Sequence, residues 1–245
     1  MNLSKNTVLI TGGASGIGFA LAQRLSHLGN HVVICGRRKE QLEIAKSVCP
    51  ELDTIQCDVS KESDRVSLFE RVTKEYPKLN ILINNAGIQN RLAPLTEPQN
   101  WQSHRLELAT NVEAPMHLSH LFISHLKSQA SPAIVNVSSG LAFSPISFMA
   151  TYCATKAALH SFTLSLRHQL RNTGISVIEI IPPSVNTDLG GKGLHDDGAP
   201  LDAFADHVMT KLAEGSLEFG YGFSEKSRLA SRADIDQLFA NMNRN

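Results

Sequence analysis

Tyr152 and Lys156 stand four residues apart in Tyr152-Cys153-Ala154-Thr155-Lys156, a spacing that stacks two side chains one turn apart on the same face of a helix. A phenol beside an ammonium is equipped for acid–base work. At about 5 Å and an effective dielectric near 20, the cation contributes roughly 3 kcal/mol, about two pK units from the phenol's usual value near 10. Tyr152 is therefore expected to exchange a proton near neutral pH. A second group of residues suits anion binding. The segment Thr11-Gly12-Gly13-Ala14-Ser15-Gly16-Ile17-Gly18 follows an apolar run and leads into FALAQRL. Glycines let the chain turn sharply there and let backbone N–H groups and a helix N-terminus approach a pyrophosphate.

Strand, glycine loop and helix come in the order that dinucleotide binding requires. Sites that prefer NAD place an acid about 20 residues past the loop to hold the ribose 2′-hydroxyl. Here HVVIC is followed instead by Gly36-Arg37-Arg38-Lys39. A guanidinium fork suits a 2′-phosphate, so NADP(H) is the expected cofactor, with Arg37 the first contact and Arg38 the second. NAD(H) is the alternative. Cations at a helix start oppose the macrodipole by roughly 0.3–1 kcal/mol each, which makes a compensating anion reasonable.

These groups need a scaffold, and the hydropathy pattern supplies one. Apolar runs recur at Thr7 to Thr11, His31 to Cys35, Thr54 to Cys57, Ile81 to Asn84, Ala133 to Val137 and Ser176 to Ile181. They are nearly continuous in Val, Ile and Leu, the mark of parallel strands covered on both faces. Helical spacing fills the intervals at roughly 16–28, 39–48, 61–75, 99–127 and 152–172. The fold class predicted is α/β: a single doubly wound Rossmann-type domain over residues 1–245, with a parallel sheet flanked by helices on both faces. The stretch 186–203, rich in glycine and acids, reads as a mobile substrate lid.

Asn84-Asn85-Ala86-Gly87 ends the fourth strand, Ser138-Ser139 ends the fifth, and Asn111 is an isolated amide in a long amphipathic helix. With TGxxxGxG before them and YxxxK after, over essentially the full length, the chain resembles the short-chain dehydrogenase/reductase family. The resemblance implies that Tyr152 is the general acid for carbonyl reduction and the base in reverse, and that Lys156 depresses its pKa and bonds the nicotinamide ribose. Ser139, thirteen positions before Tyr152, would polarise the substrate oxygen, and Asn111 would orient a water linking Lys156 to solvent. Asp58 and Val59 look like the adenine contact, although a turn aspartate is the plainer reading of Asp58. Asn85 and Ala86, with Gly87, would line the adenine ribose, although the same four residues serve equally to stabilise the central sheet. Pro182, Val185 and Thr187 match positions near the nicotinamide, with Val185 through its backbone and Thr187 through its hydroxyl holding the carboxamide. Pro183 stands where the family usually has glycine, which alters the backbone there.

Function so implied is an NADP(H)-dependent oxidoreductase moving a hydride between nicotinamide and a small carbonyl or alcohol. The alternative is an NADP(H)-sensing protein without turnover. A sugar-nucleotide epimerase would need a larger C-terminal domain. Leu141, Phe143, Ile146, Phe148 and Met149 form an apolar stretch that lines the substrate cleft or packs in the core. His117, His120 and His125 read as surface or interface histidines without a metal, Arg91 as solvent-facing and Trp101 as a packing anchor. Pairing through the helices at 99–127 and 152–172 gives a homodimer, with a homotetramer the alternative. The C-terminus ends in a polar helical tail where many relatives have a glycine-rich strand.

Lys plus Arg number 23 and Asp plus Glu 23, with a pI near 7.2, so there is no electrostatic footprint for nucleic acid or an acidic membrane. Four cysteines without metal-ligand spacing, Cys35, Cys49, Cys57 and Cys153, read as buried thiols. The N-terminal apolar run is too short for a signal peptide and no run approaches a membrane span. A cytoplasmic location is expected.

Overall fold

A computed structural model describes residues 2–91, 95, 97 and 100–244. The strands are β1 Thr7–Thr11, β2 His31–Gly36, β3 Asp53–Gln56, β4 Ile81–Asn84, β5 Ala133–Val137, β6 Ser176–Ile181 and β7 Glu218–Gly220. The helices are α1 Gly16–His27, α2 Lys39–Val48, α3 Glu62–Glu75, α4 Trp101–Leu108, α5 Ala114–Leu126, α6 Ala150–Gln169, α7 Leu201–Ala213, α8 Phe223–Leu229 and α9 Arg232–Met242. Among the described residues the strands make one parallel sheet in the order β3-β2-β1-β4-β5-β6-β7. No helix among them is long and apolar enough to cross a membrane.

Continuous apolar strands are needed because both faces are covered. Along β1, Val8 and Ile10 face one core with Leu21 and Leu25 of α1, Leu42 of α2 and Phe204 and Val208 of α7. Leu9 between them faces the other, with Leu68 and Val72 of α3, Phe122 of α5 and Leu166 of α6. Each such side chain contributes about 1.5–3 kcal/mol on burial. The order reverses on either side of β1, which neighbours both β2 and β4, so a crevice opens beyond the carboxyl ends of these strands.

Six strand positions agree with the apolar runs to within a residue. β7 was not expected, and with it the sheet continues past β6 on the C-terminal side. The expected lid also changes: α7 begins at Leu201, so the irregular segment ends at Pro200, where Val185 and Ala199 already form a bridge. The fourth expected helix divides into α4, a wide turn of π type at Ala109–Glu113, and α5; its first residue, 99, lies outside the described residues. Trp101 is 57% exposed and stacks on His104, so it is not a packing anchor. His117 Nδ1 accepts from Arg65 and His125 Nε2 bonds the Leu79 carbonyl, while His120 is exposed. All four cysteines are free and buried.

Candidate active site

The crevice is a cavity of about 610 Å³. Its lining includes Gly12, Ser15, Gly16 and Ile17 of the β1 loop, Arg37 and Arg38 after β2, Asp58 and Val59 after β3, Asn85, Ala86 and Gly87 after β4, and Tyr152, Lys156 and Thr187. The β1 loop has to be glycine at Gly12, which has φ +64 and whose missing Cβ would stand 2.8 Å from the Ala86 Cα. Gly18 is a different case. It does not line the cavity; a Cβ there would lie 2.4 Å from Asn85 Nδ2 and 2.5 Å from the Gly12 carbonyl. Thr11 is likewise a brace: its hydroxyl accepts the N–H groups of Asn85 (3.1 Å) and Ala86 (3.0 Å), tying the β1 loop to the β4 loop. Asn85 completes the tie by donating to the carbonyls of Thr11 and Gly12 at 3.0 and 3.2 Å.

Helix α1 starts at the β1 loop. Ser15 makes no side-chain cap to the helix, and its first turn carries no acid, so the N-terminal N–H groups are left for a ligand. Arg38 Nη2 reaches Ser15 Oγ at 3.4 Å, which places an exposed guanidinium across the rim from those donors. Arg37 is exposed beside it, its carbonyl held by Gln56 at 3.1 Å. Asp58 is both turn and lining, because its Oδ1 accepts from Ser60 N (3.1 Å) and Oγ (2.7 Å). Buried Arg65 fixes this corner by donating to the Val59 carbonyl at 2.8 Å and to Glu113 and His117.

Lys156 Nζ lies 5.7 Å from the centroid of the Tyr152 ring and donates to the Val137 carbonyl at 3.0 Å. Both side chains are buried, and burial decides their ionisation. It raises the Tyr152 pKa well above the usual phenol value, against a hydrogen bond with Ser139 that works the other way, while Cys153 and Glu107 add to the rise. Burial also lowers Lys156 to about 8, opposed by the charges of Glu107 and Glu179. The expectation of a phenol titrating near neutrality is thus overturned in this structure: removal from water outweighs the neighbouring cation.

Ser139 sits where β5 ends, capping a short turn by accepting from Leu141 N at 3.2 Å and bonding Tyr152. Asn111 is fully engaged with protein. Its Nδ2 donates to the Ile88 carbonyl (2.8 Å) and to Thr155 Oγ1 (3.1 Å), and its Oδ1 accepts from Ile88 N (2.9 Å). Its side chain thus clamps the strand-end loop to α6. Neither Ser139 nor Asn111 lines the cavity, and the same is true of Pro182 and Val185. The Pro182 carbonyl accepts from Gly140 N at 2.9 Å, and Val185 sits in the bridge to Ala199.

Gln89, Asn90 and Thr110 border the cavity without having been expected there, and Asp188, Leu189, Gly190 and Gly191 border it from the segment read as a lid. Thr110 Oγ1 is buried without a hydrogen-bond partner among the described residues, an orphan hydroxyl in the cavity lining. His195 latches the 186–200 segment, contacting Ser184 Oγ at 3.0 Å and Gln89 Oε1 at 3.1 Å. Arg91 is exposed and donates to the Leu194 carbonyl at 3.3 Å, so it meets this segment as well as solvent. Between Ser139 and Tyr152, Leu141 and Ile146 pack against buried Met149, Tyr152 and Cys153, while Phe148 is 55% exposed.

The chain is similar to known proteins over most of its length. The sequence model described as short chain dehydrogenase matches residues 6–197. The Uncharacterized oxidoreductase DltE of Bacillus subtilis (strain 168) is 48% identical over 248 residues, covering 99% of this chain and 98% of that protein. A short chain dehydrogenase from Burkholderia cenocepacia J2315 solved in complex with NADP superposes with a TM-score of 0.86 at 26% identity, covering 100% of both chains. A 3-ketoacyl-(acyl-carrier-protein) reductase from Brucella melitensis complexed with NADH superposes at 0.81 and 26% identity, covering 91% of this chain and 100% of that one.

Proposed function

The chain belongs to the short-chain dehydrogenase family, and from that premise we propose an NADP(H)-dependent oxidoreductase that moves a hydride between nicotinamide and a carbonyl or alcohol carbon. One observation carries this: a single cavity runs from the free N–H donors and guanidinium groups at Ser15, Arg37 and Arg38 to the Tyr152–Lys156 pair. The donor set fits a dinucleotide phosphate. Uncapped N–H groups of α1 suit a pyrophosphate, two exposed arginines at its rim suit a further phosphate, and the orphan hydroxyl of Thr110 offers a polar group inside the wall. The relative from Burkholderia cenocepacia is in complex with NADP and the one from Brucella melitensis with NADH, so the preference rests on Arg37 and Arg38.

Bound in the cavity, the nicotinamide supplies the hydride. Tyr152, held protonated by burial, donates its hydrogen to the substrate oxygen in reduction and recovers it in oxidation. Ser139, bonded to the same phenol, stabilises charge developing on that oxygen. Lys156 supplies a buried positive charge beside the phenol ring, and its ammonium would hold the ribose of the bound cofactor. Asn111 acts at one remove by holding Ile88 and Thr155 in place. The 186–200 segment is the substrate lid, latched through His195.

The proposal extends to assembly and setting. Leu106 and Leu108 of α4 and Leu164 of α6 are exposed apolar side chains, which supports a homodimer through these helices, and scattering-derived mass tests it. Four free thiols support a cytoplasmic setting. Tyr152→Phe is expected to abolish turnover of a carbonyl panel, followed at the nicotinamide absorbance band, with the calorimetric NADPH affinity nearly intact. Normal turnover of that variant would discard the mechanism. Tight NADPH binding by the wild type with no oxidation by any compound would make the chain a sensor.

A further inference from the structure

Tyr152, Lys156 and His160 recur every fourth residue on α6 and share one face. Opposite His160, on β6, lies Glu179, with 0% of its surface exposed. A carboxylate removed from water is costly unless every oxygen is answered. His160 Nδ1 meets its two oxygens at 2.9 and 3.1 Å, and Ser138 Oγ donates to one of them at 2.5 Å. Ser138 immediately precedes Ser139 and follows Val137, whose carbonyl takes the Lys156 ammonium at 3.0 Å. A buried ionisable pair is therefore connected to the strand end that holds both Ser139 and Lys156.

The surroundings single out this pair as the adjustable charge. Glu218 of β7 is beside Glu179 in the sheet register, but Arg167 of α6 and Arg228 of α8 approach it at 3.1 and 3.5 Å. Arg228 also pairs with Glu225, and the Phe143 ring lies 4.5 Å from that of His160. Ligand atoms of His160, Glu179 and Glu218 fall within 4.8 Å of one another, close enough for a cation, yet two guanidinium groups already neutralise Glu218. Among the described residues, the ion pair that Glu179 makes is with His160. Two acids act electrostatically on Lys156, Glu107 of α4 first and Glu179 second, and Glu179 with Glu218 raises the His160 pKa.

We propose that Glu179 and His160 are positioning residues for the Tyr152–Lys156 pair: the buried carboxylate keeps Lys156 cationic, and the charge on His160 sets how strongly it does so. This rests on the function proposed above for Lys156. The sign is fixed by Coulomb's law. Removing the negative charge lowers the Lys156 midpoint, whereas removing the group that neutralises it raises the midpoint.

The test titrates Lys156 in the ligand-free protein by carbon NMR of its labelled ε-methylene, assigned with Lys156→Met. Glu179→Gln, which keeps the shape, is expected to move the midpoint down by about half a pH unit or more, and His160→Gln to move it up. Midpoints unchanged in both variants, even with lowered melting temperatures, would show a merely structural role and overturn the proposal. If Glu179→Gln does not fold, an unmoved midpoint in His160→Gln overturns it alone. The alkaline limb of kcat/KM should shift in step with the NMR midpoint, and a limb that stays put while the midpoint moves would refute the link to catalysis. Absence of wild-type turnover on any carbonyl would instead sink the oxidoreductase function and leave the ligand-free titration standing as a test of the electrostatics.

Discussion

Gly18→Ala tests whether the glycine loop is held in shape by the packing beneath it or by the ligand. A Cβ at this position would stand 2.4 Å from Asn85 Nδ2 and 2.5 Å from the Gly12 carbonyl oxygen. Ordinary contact therefore requires a shift of about 1 Å, and one of the two groups is backbone. Moving Asn85 breaks its bonds to Thr11 and Gly12, at 3.0 and 3.2 Å, each worth about 0.5–1.5 kcal/mol. Moving Gly12 displaces the turn that aims the N–H donors at the cavity. Loss of one charge-assisted bond to phosphate costs about 1.5–3 kcal/mol, so NADPH affinity by calorimetry should fall roughly 10- to 100-fold, and urea stability by about 1–3 kcal/mol. Gly29→Ala is the control. Nothing lies within 4 Å of its Cβ, but its φ of +77 makes the substitution cost about 1–2 kcal/mol of stability without touching NADPH affinity. Wild-type NADPH affinity in Gly18→Ala would refute the reasoning.

Arg37→Ala and Arg38→Ala should each weaken NADPH about 10- to 100-fold and leave NADH within about two-fold, read by paired calorimetric titrations; equal losses for both cofactors would remove the 2′-phosphate assignment. Lys156 carries a folded pKa of about 8 against an ordinary 10.5, so the unfolded chain binds the extra proton between these values. Its burial penalty is fully present below pH 8 and is relieved as pH rises toward 10.5, so Lys156→Met should gain about 3 kcal/mol at pH 7 and lose that gain by pH 10.5, measured by urea unfolding. His195→Ala removes the contacts to Ser184 and Gln89, and trypsin should cut after Lys192 several-fold faster than in the wild type; an unchanged rate would mean that the lid is not latched there.

The strands were legible because burial on both faces demands long apolar runs: β2 carries Val32-Val33-Ile34-Cys35 without a break, and in β5 and β6 the run is interrupted only by Asn136 and Glu179. β7 has only Glu218, Phe219 and Gly220, too short for periodicity to register; its pairing depends on β6 offering a free edge, a tertiary fact. The π turn at Ala109–Glu113 was hidden for a related reason. Its residues suit an ordinary helix, and the bulge is accompanied by long-range bonds from Asn111 to Ile88 and Thr155. Site residues with a fixed spacing, Tyr152 with Lys156 or the glycines of the loop, could be found along the chain. Glu179 could not, because it reads as one acid in SVIEII and acquires meaning only when β6 brings it under His160.

Spacing alone gave the wrong sign for Tyr152. A cation one helical turn away favours the phenolate, but the same fold that brings the ammonium near also removes both groups from water, and the second effect is larger here. The consequence is directional. A neutral phenol beside a lysine near its midpoint is arranged to give up a proton only when negative charge grows on a neighbouring oxygen, and it lacks the standing negative charge that would attract protons beforehand. Glu107 sharpens this, since its carboxyl, held by the Asn90 N–H at 2.9 Å and raised in pKa by burial, interacts electrostatically with both members of the pair. Two buried acids, Glu107 and Glu179, therefore do what the Tyr–Lys spacing cannot: their charges oppose the loss of the ammonium that burial promotes.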